Sequence, residues 1–271
     1  MACVLGSLLS LVGCKHGPGP RDTRALRRLC IYYGWPSVAG GARTPEQAGD
    51  NLGAFDVLVL GAGLQRPDHP DHAHSRELIG RLRRQVEIYG YVSLGPSGGS
   101  ATELEAAVRA WKGMGAHGIF FDEAGYDFGT TRARQSQAFG AARANGLRSF
   151  ANAFDPDDLF AERRDARHNP DGEASALGRG DAYLYESFVV RQGRPEDAEA
   201  RRVKEGKLEA ARRRGVRLFG VTTAAGGAAP DASLWEEARR EARRLGFEGL
   251  GWGQPGFGAQ DGRLPPHEPG P

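Results

Sequence analysis

Two acids stand side by side at Asp122 and Glu123, where the short apolar run from Gly118 to Phe121 opens into the glycine- and aromatic-rich loop Ala124 to Gly129. Stability alone gives no reason to end a buried strand on carboxylates, whereas α/β proteins place their chemistry at the carboxyl ends of parallel strands. A further acid, Glu186, ends the run Ala182 to Tyr185. Two carboxyl groups held over one cavity can divide proton traffic, one staying protonated as donor and the other ionised as base or nucleophile. Burial among Tyr183, Tyr185 and Phe188 is expected to raise Glu186 and suit it to the acid role. Asp122, among glycines and backbone donors, is expected to stay ionised. Each acid could equally cap a helix or pair with an arginine.

The elements that must position these acids are read from apolar runs bounded by Gly, Asp or Pro. Eight such runs predict strands at Leu29–Tyr33, Val57–Leu60, Glu87–Val92, Gly118–Phe121, Arg148–Asn152, Ala182–Tyr185, Val216–Val221 and Glu248–Gly251. Helical patterns separate them. Thr44-Pro45-Glu46 opens one with a cap and a first-turn proline, Thr102–Met114 carries an apolar stripe, and Asn145-Gly146 stops the helix from Thr131. Glu199–Arg214 and Ser233–Leu245 read as charged helices. Strands alternating with helices at the period of a βα unit predict a single closed (β/α)8 barrel, the TIM barrel, over an open doubly wound sheet. Gly61-Ala-Gly63 is a tight turn by this reading, and no dinucleotide or Walker sequence is present.

Alternation along a strand puts Gly118, Phe120 and Asp122 on one face, and Ala182, Leu184 and Glu186 on another such face. Asp122 and Glu186 are therefore expected over the barrel mouth about 5 to 9 Å apart, a range that glycoside hydrolysis uses. Glu123 is expected to lean into the helical layer. Tyr33 and Trp35 end the first strand and Trp252 the eighth, and flat rings at a rim suit the apolar faces of sugars. Tyr185, Asp127 and Asn152 are further candidate substrate contacts. His69 to His74 offers imidazoles, but it precedes a helix and lacks a spaced third ligand, so no metal and no cofactor is expected; Asp71 or Ser75 serves there as a cap.

The chain has 271 residues with a net charge of +2, 39% hydrophobic and 26% charged, an ordinary soluble composition whose balance argues against a nucleic-acid partner. Its three cysteines form neither a disulfide framework nor a zinc site. Val4 to Val12 is apolar, too short to span a bilayer, and leads to Leu11-Val-Gly-Cys14, which resembles a bacterial lipoprotein signal with Cys14 lipidated. The expected organisation is a signal segment over 1–14, a Gly/Pro tether over 15–25, a barrel over 26–262 and a Pro-rich tail over 263–271. The resemblance implies a cell-envelope protein, lipid-anchored to a bacterial membrane and facing the periplasm or exterior.

The Tyr-Gly ending of the first strand, the run Gly115 to Asp122, Ala151-Asn152 and Tyr185-Glu186-Ser187 resemble the TIM-barrel glycoside hydrolase family related to endo-α-1,4-polygalactosaminidases. The similarity runs from about Cys30 to Gln254. It implies Asp122 and Glu186 as a catalytic pair in an endo-acting hydrolase of a polysaccharide or oligosaccharide, galactosamine-containing in the leading case. The alternative is a non-catalytic carbohydrate-binding or envelope lipoprotein on a degenerate barrel. Longer runs at Gly125–Gly129 and Leu184–Phe188 mark a divergent subgroup.

Overall fold

A computed structural model describes residues 25–61, 63–223, 231–253 and 262–265. The leader with Cys14, most of the tether and the end of the tail lie outside the described residues. Among those described, no helix is long and apolar enough to cross a membrane.

Eight parallel strands close into a barrel: β1 Arg27–Tyr32, β2 Val57–Leu60, β3 Glu87–Ser93, β4 Gly118–Asp122, β5 Arg148–Asn152, β6 Ala182–Glu186, β7 Arg217–Thr223 and β8 Gly249–Gly253. Strands neighbour one another in chain order, and β8 returns to β1 through Arg27 opposite Gly249. The expected eight-stranded barrel is thus observed. β1 starts two residues earlier than its apolar run, because Arg27 and Arg28 pair while turning charged side chains to acids.

Helices α1 Pro45–Gly53, α2 His72–Leu82, α3 Ala101–Met114, α4 Arg132–Ala144, the single turn α5 Asp157–Phe160, α6 Ala198–Arg213 and α7 Ala232–Arg244 connect the strands. Their ends follow local chemistry. The Thr44 hydroxyl accepts from the Gln47 N–H, Ser100 and Glu103 form a reciprocal capping box on α3, and Gly146 takes φ 67° just past α4. Two short pieces escape the periodicity. Pro36–Gly41 forms a 3₁₀ turn, and Val190–Arg191 pairs antiparallel with Arg194–Pro195 in a small ribbon between β6 and α6.

The barrel interior is layered by alternate strands, as closure with a tilted register requires. At the amino-terminal base the odd strands supply Arg27, Glu87, Arg148 and Arg217. Above them Leu29, Tyr89, Phe150 and Phe219 fill the axis, and Phe120 from β4 packs edge-on against Phe150 with centroids 5.2 Å apart. Large rings fit because their neighbours are small: Gly118 sits beside Tyr89 and Gly249 beside Phe219, where any Cβ would overlap the ring. Outward-facing residues, Trp111 and Phe121 among them, make the second core between strands and helices. The Trp111 indole covers Gly90 and donates its N–H to the Tyr91 carbonyl at 3.1 Å, locking the upper half of β3 in place.

Candidate functional site

At the carboxyl ends of the strands a cavity of about 570 Å³ opens, lined by Tyr33, Asp122, Glu123, Asp127, Asn152, Glu186, Arg191 and Thr223 among others, over a floor of Ile31, Phe120, Leu184 and Val221. Asp122 ends β4, Asn152 ends β5 and Glu186 ends β6, and the alternation that buries Phe120 and Leu184 below them turns all three inward. The Asn152 amide nitrogen donates to Asp122 Oδ1 at 2.8 Å and to Glu186 Oε2 at 3.1 Å. Two oxygens sharing one nitrogen lie within about 6 Å of each other. The expected meeting of the two acids over one cavity is therefore seen, with a neutral amide between them. The other Asn152 amide atom, Oδ1, is buried without a hydrogen-bond partner among the described residues. An orphan acceptor beside two carboxyls leaves a place for a ligand donor.

Asp122 is largely enclosed. Burial pushes its carboxyl above the ordinary range, and the Glu186 charge adds to this. Hydrogen bonds from Asn152, from the Glu123 N–H at 2.9 Å and from Tyr91 oppose the rise without cancelling it. With Oδ1 committed to two donors, Oδ2 is the atom left to carry a proton. Burial first, then the nearness of Asp122 and Glu123, raise the Tyr33 and Tyr91 hydroxyls, which stay protonated as donors. Tyr33 and Tyr91 meet edge to face, centroids 5.2 Å apart.

The surroundings expected for the two acids differ from those observed. Tyr183, Tyr185 and Phe188 belong to the outer core, whereas Glu186 lines the cavity on the other face of its strand. Asp122 is the acid that burial raises.

Glu123 departs from its expected course. Its φ of 54° lies in the left-handed region, which swings the side chain back to the mouth, where Oε2 accepts the Ser93 hydroxyl at 2.5 Å. A Cβ on Gly95 would collide with this carboxylate, so a glycine is needed there. The turn is held from behind. Thr130 Oγ1 bonds the Glu123 carbonyl at 2.8 Å, and buried Gln135 bonds the Ala124 carbonyl at 2.7 Å. Ser187, directly after Glu186, is also left-handed at φ 57°, and there Lys204 Nζ donates to the Glu186 carbonyl at 3.3 Å. Lys204 lies over the rings of Tyr185 and Phe154 at 4.0 and 4.2 Å, and its burial lowers its pKa to about 8.

Of the other residues singled out in the sequence, Tyr33 and Asp127 line the cavity. Tyr185 is fully buried in the helical layer, and Trp252 packs edge-on against Trp235 there, centroids 5.7 Å apart. The count that aims Glu186 inward sends Tyr185 outward, and Gly251 and Gly253, not Trp252, face the axis. Trp35 stacks edge-on with His69 at 5.9 Å and does not line the cavity. In the histidine cluster, His69 Nδ1 accepts from the Asp71 N–H, His72 Nδ1 bonds the Leu64 carbonyl, and His74 lies 3.5 Å from Asp71. Among the described residues no group of three or more His, Cys, Asp or Glu is arranged to hold a metal ion. Sequence reasoning missed Glu123, Tyr91, Ser93 and Arg191 as site residues. For Tyr91 and Ser93 the signal was available, since they share a face with Tyr89 at the end of β3.

No family model and no curated protein matches the chain. Among solved structures, an oxaloacetate acetylhydrolase is similar at 15% identity and TM-score 0.47, over 84% of this chain and 75% of that one. A 2,3-dimethylmalate lyase of the PEP mutase/isocitrate lyase superfamily is similar at 14% identity and TM-score 0.48, over 84% of this chain and 75% of that one. The carboxyl transferase domain of pyruvate carboxylase from Rhizobium etli reaches TM-score 0.52 at 11% identity, over 85% of this chain and 40% of that one. Likenesses this distant describe the barrel.

None of these structures is described as a glycoside hydrolase, and this corrects the expected kinship with the polygalactosaminidase-related family. Polysaccharide hydrolysis, the carbohydrate-binding alternative, and the polysaccharide and membrane partners, the latter through a lipid anchor at Cys14, are corrected with it. The geometry supplies a physical reason. Trp252, one of the rings expected as a sugar platform, and Tyr185, a candidate substrate contact, are buried, and the cavity has the volume of a small-molecule site.

Proposed function

We propose that this protein is an enzyme that moves protons on a small organic substrate, with Asp122 as general acid and Glu186 as general base. The observation that carries this reading is the Asp122–Asn152–Glu186 bridge: two carboxyls within one ligand's width, one of them raised by burial, over a cavity closed below. A carboxyl whose surroundings raise its proton affinity is suited to the donor half of a proton transfer. In the lyase-type step that fits this arrangement, Glu186 takes the proton of a hydroxyl β to a carbonyl. The C–C bond between the hydroxyl carbon and the α-carbon breaks to leave a new carbonyl, and its electron pair passes to the neighbouring carbonyl oxygen as an enolate. Asp122 delivers its Oδ2 proton to the oxygen on which charge develops, and Tyr33 donates a hydrogen bond to that oxygen. Asn152 holds the two carboxyls at a fixed separation and offers its free Oδ1 to a substrate donor.

The barrel over 26–262 is read as the catalytic unit. The apolar run Val4 to Val12 supports export across the cytoplasmic membrane, which fractionation of the expressed full-length protein would check.

The test is turnover. Small hydroxy and carbonyl compounds are incubated with the full chain in deuterated water, and exchange or cleavage is followed by proton NMR. Asp122→Asn and Glu186→Gln are each expected to lower the rate by about 10²- to 10⁴-fold with the fold intact. Either variant retaining wild-type turnover would remove that residue from the mechanism.

A further inference from the structure

The cavity is lined by four acids, Asp122, Glu123, Asp127 and Glu186, and, among the described residues, by a single basic side chain, Arg191. Arg191 is exposed, and its guanidinium carbon lies 5.6 Å over the Phe154 ring. Stacking uses the face of the guanidinium and leaves its in-plane N–H donors available. No ion pair or hydrogen bond of this side chain is formed with a described residue; Glu196 and Lys204 feel its charge without contacting it.

The backbone that presents Arg191 is unusual. Ser187, Val189 and Gln192 have φ of 57°, 63° and 52°, three non-glycine residues in the left-handed region within six positions. For β-branched Val189 this is an outlier, and each such residue costs about 1–3 kcal/mol unless the surroundings enforce it. They do enforce it. Val189 and Val190 are fully buried, and the Phe188 N–H is bonded to the Val221 carbonyl at 2.9 Å. The Gln192 N–H bonds Thr223 Oγ1 at 2.9 Å, and the Gly193 N–H bonds the Thr223 carbonyl at 2.8 Å. A strained ribbon is thus fastened to the end of β7 with Arg191 at the cavity wall. Strain that the fold maintains at a cavity is a mark of function.

We propose that Arg191 recognises an anionic group on the substrate. The molecule converted at this site is then a small carboxylate or phosphate ester, held by its charged end at the β6–α6 ribbon with its reacting end between Asp122 and Glu186. This rests on the acid–base reading above and adds the substrate's chemical class to it. Glu123, Asp127 and Glu186, which share the cavity with Asp122, set the orientation. An anion is repelled from their half of the cavity and stabilised only beside the guanidinium, so a substrate with one charged end enters in one sense. The planar fork also matches the two oxygens of a carboxylate or phosphate, which an ammonium would not do as well.

The test uses binding, so it does not depend on turnover. The full chain is titrated by calorimetry with malonate, with inorganic phosphate and with malonamide, the uncharged counterpart of malonate. At least one of the two anions is expected to saturate the protein with malonamide at least about tenfold weaker, and the anion that binds identifies carboxylate or phosphate as the group recognised. Arg191→Met should weaken that anion by about tenfold or more, Arg191→Lys by less, with unchanged melting temperatures. Asp122→Asn should bind it about as well as wild type, because a neutral amide replaces a carboxyl that holds its proton in the acid–base reading. Malonamide binding as tightly as malonate, no saturation by either anion, or an unchanged affinity in Arg191→Met would overturn the assignment. Anion binding that survives in an Asp122→Asn protein with undiminished turnover would uphold Arg191 while sinking the acid–base reading.

Discussion

The two ends of this barrel hold ionised groups in opposite ways. At the base, the Glu87 carboxylate meets Arg27 at 2.5 Å, Arg148 at 3.0 Å and Arg217 at 2.9 Å, with the Tyr89 hydroxyl on the same group. Burial alone would raise Glu87, but the hydrogen bonds and charge of Arg217, with Tyr89 and Arg27, hold it down at about 2. At the mouth, Asp122 meets an amide, a backbone N–H and a phenol, all uncharged, and burial prevails. Ions that are fully matched act as structure. Acids solvated only by neutral dipoles keep a proton within reach of chemistry. The base is thus the anchor of the fold, and the mouth the place where the fold tolerates an unfavourable arrangement.

That contrast breaks most readily at the base. Glu87→Ala leaves three guanidinium groups without their shared acid and is expected to cost about 3–5 kcal/mol. In a chain of this length thermal unfolding should fall by roughly 10 °C, with anion binding at the mouth retained in the folded fraction. A loss below about 1 kcal/mol would show the base network to be surface-like.

Acid titration sharpens the comparison, because the two ends respond with opposite sign. Glu87 is lowered on folding from 4.5 to about 2, so its contribution is fully present above about pH 4.5 and is lost as pH falls towards 2. The loss over that window amounts to about 3 kcal/mol in urea unfolding, and Glu87→Gln should flatten it. Asp122 is raised from 3.8, so it penalises the folded state increasingly as pH climbs from 3.8 through its folded value. Asp122→Asn should therefore stabilise the protein at neutral pH and leave its acid stability unchanged. Destabilisation at pH 7 would mean that Asp122 is structural.

Asn152→Ala removes the amide between the two carboxyls and should lower turnover by about tenfold or more, with less effect on binding of the anion at Arg191. An equal loss in both would place Asn152 in the binding of the charged end instead. The smallest effect is expected at Arg28 and Asp56, a pair at 3.0 Å with both partners around 40% and 38% exposed. Arg28→Ala should cost under about 1 kcal/mol, although its formal charge matches that of Arg217.

Much of the barrel is legible in the sequence because its strands are short apolar runs at a regular period, and Asp122, Asn152 and Glu186 are legible because each stands at the end of such a run. What was hidden lies where local conformation departs from the period. Glu123 was assigned outward by simple alternation, but a left-handed φ reverses it after the strand has ended. Arg191 sits in a ribbon of two-residue strands, too short for any hydrophobic pattern. The base network was hidden for another reason. Arg27, Glu87, Arg148 and Arg217 each begin a strand, where a charged residue reads as a boundary, and only the closed register brings them together. Tyr185 and Trp252 attracted attention by residue type, although the period-two count already turned them away from the axis.

The aromatic rings of Tyr89, Phe120, Phe150 and Phe219, stacked along the axis above the sealed base, have a kinetic consequence. Among the described residues the barrel is a well closed at its base, so a product of the proposed reaction would leave by the opening through which its precursor arrived. On the proposed function, departing and arriving molecules would exclude one another at Arg191, and a product that keeps its charged end should act as a competitive inhibitor.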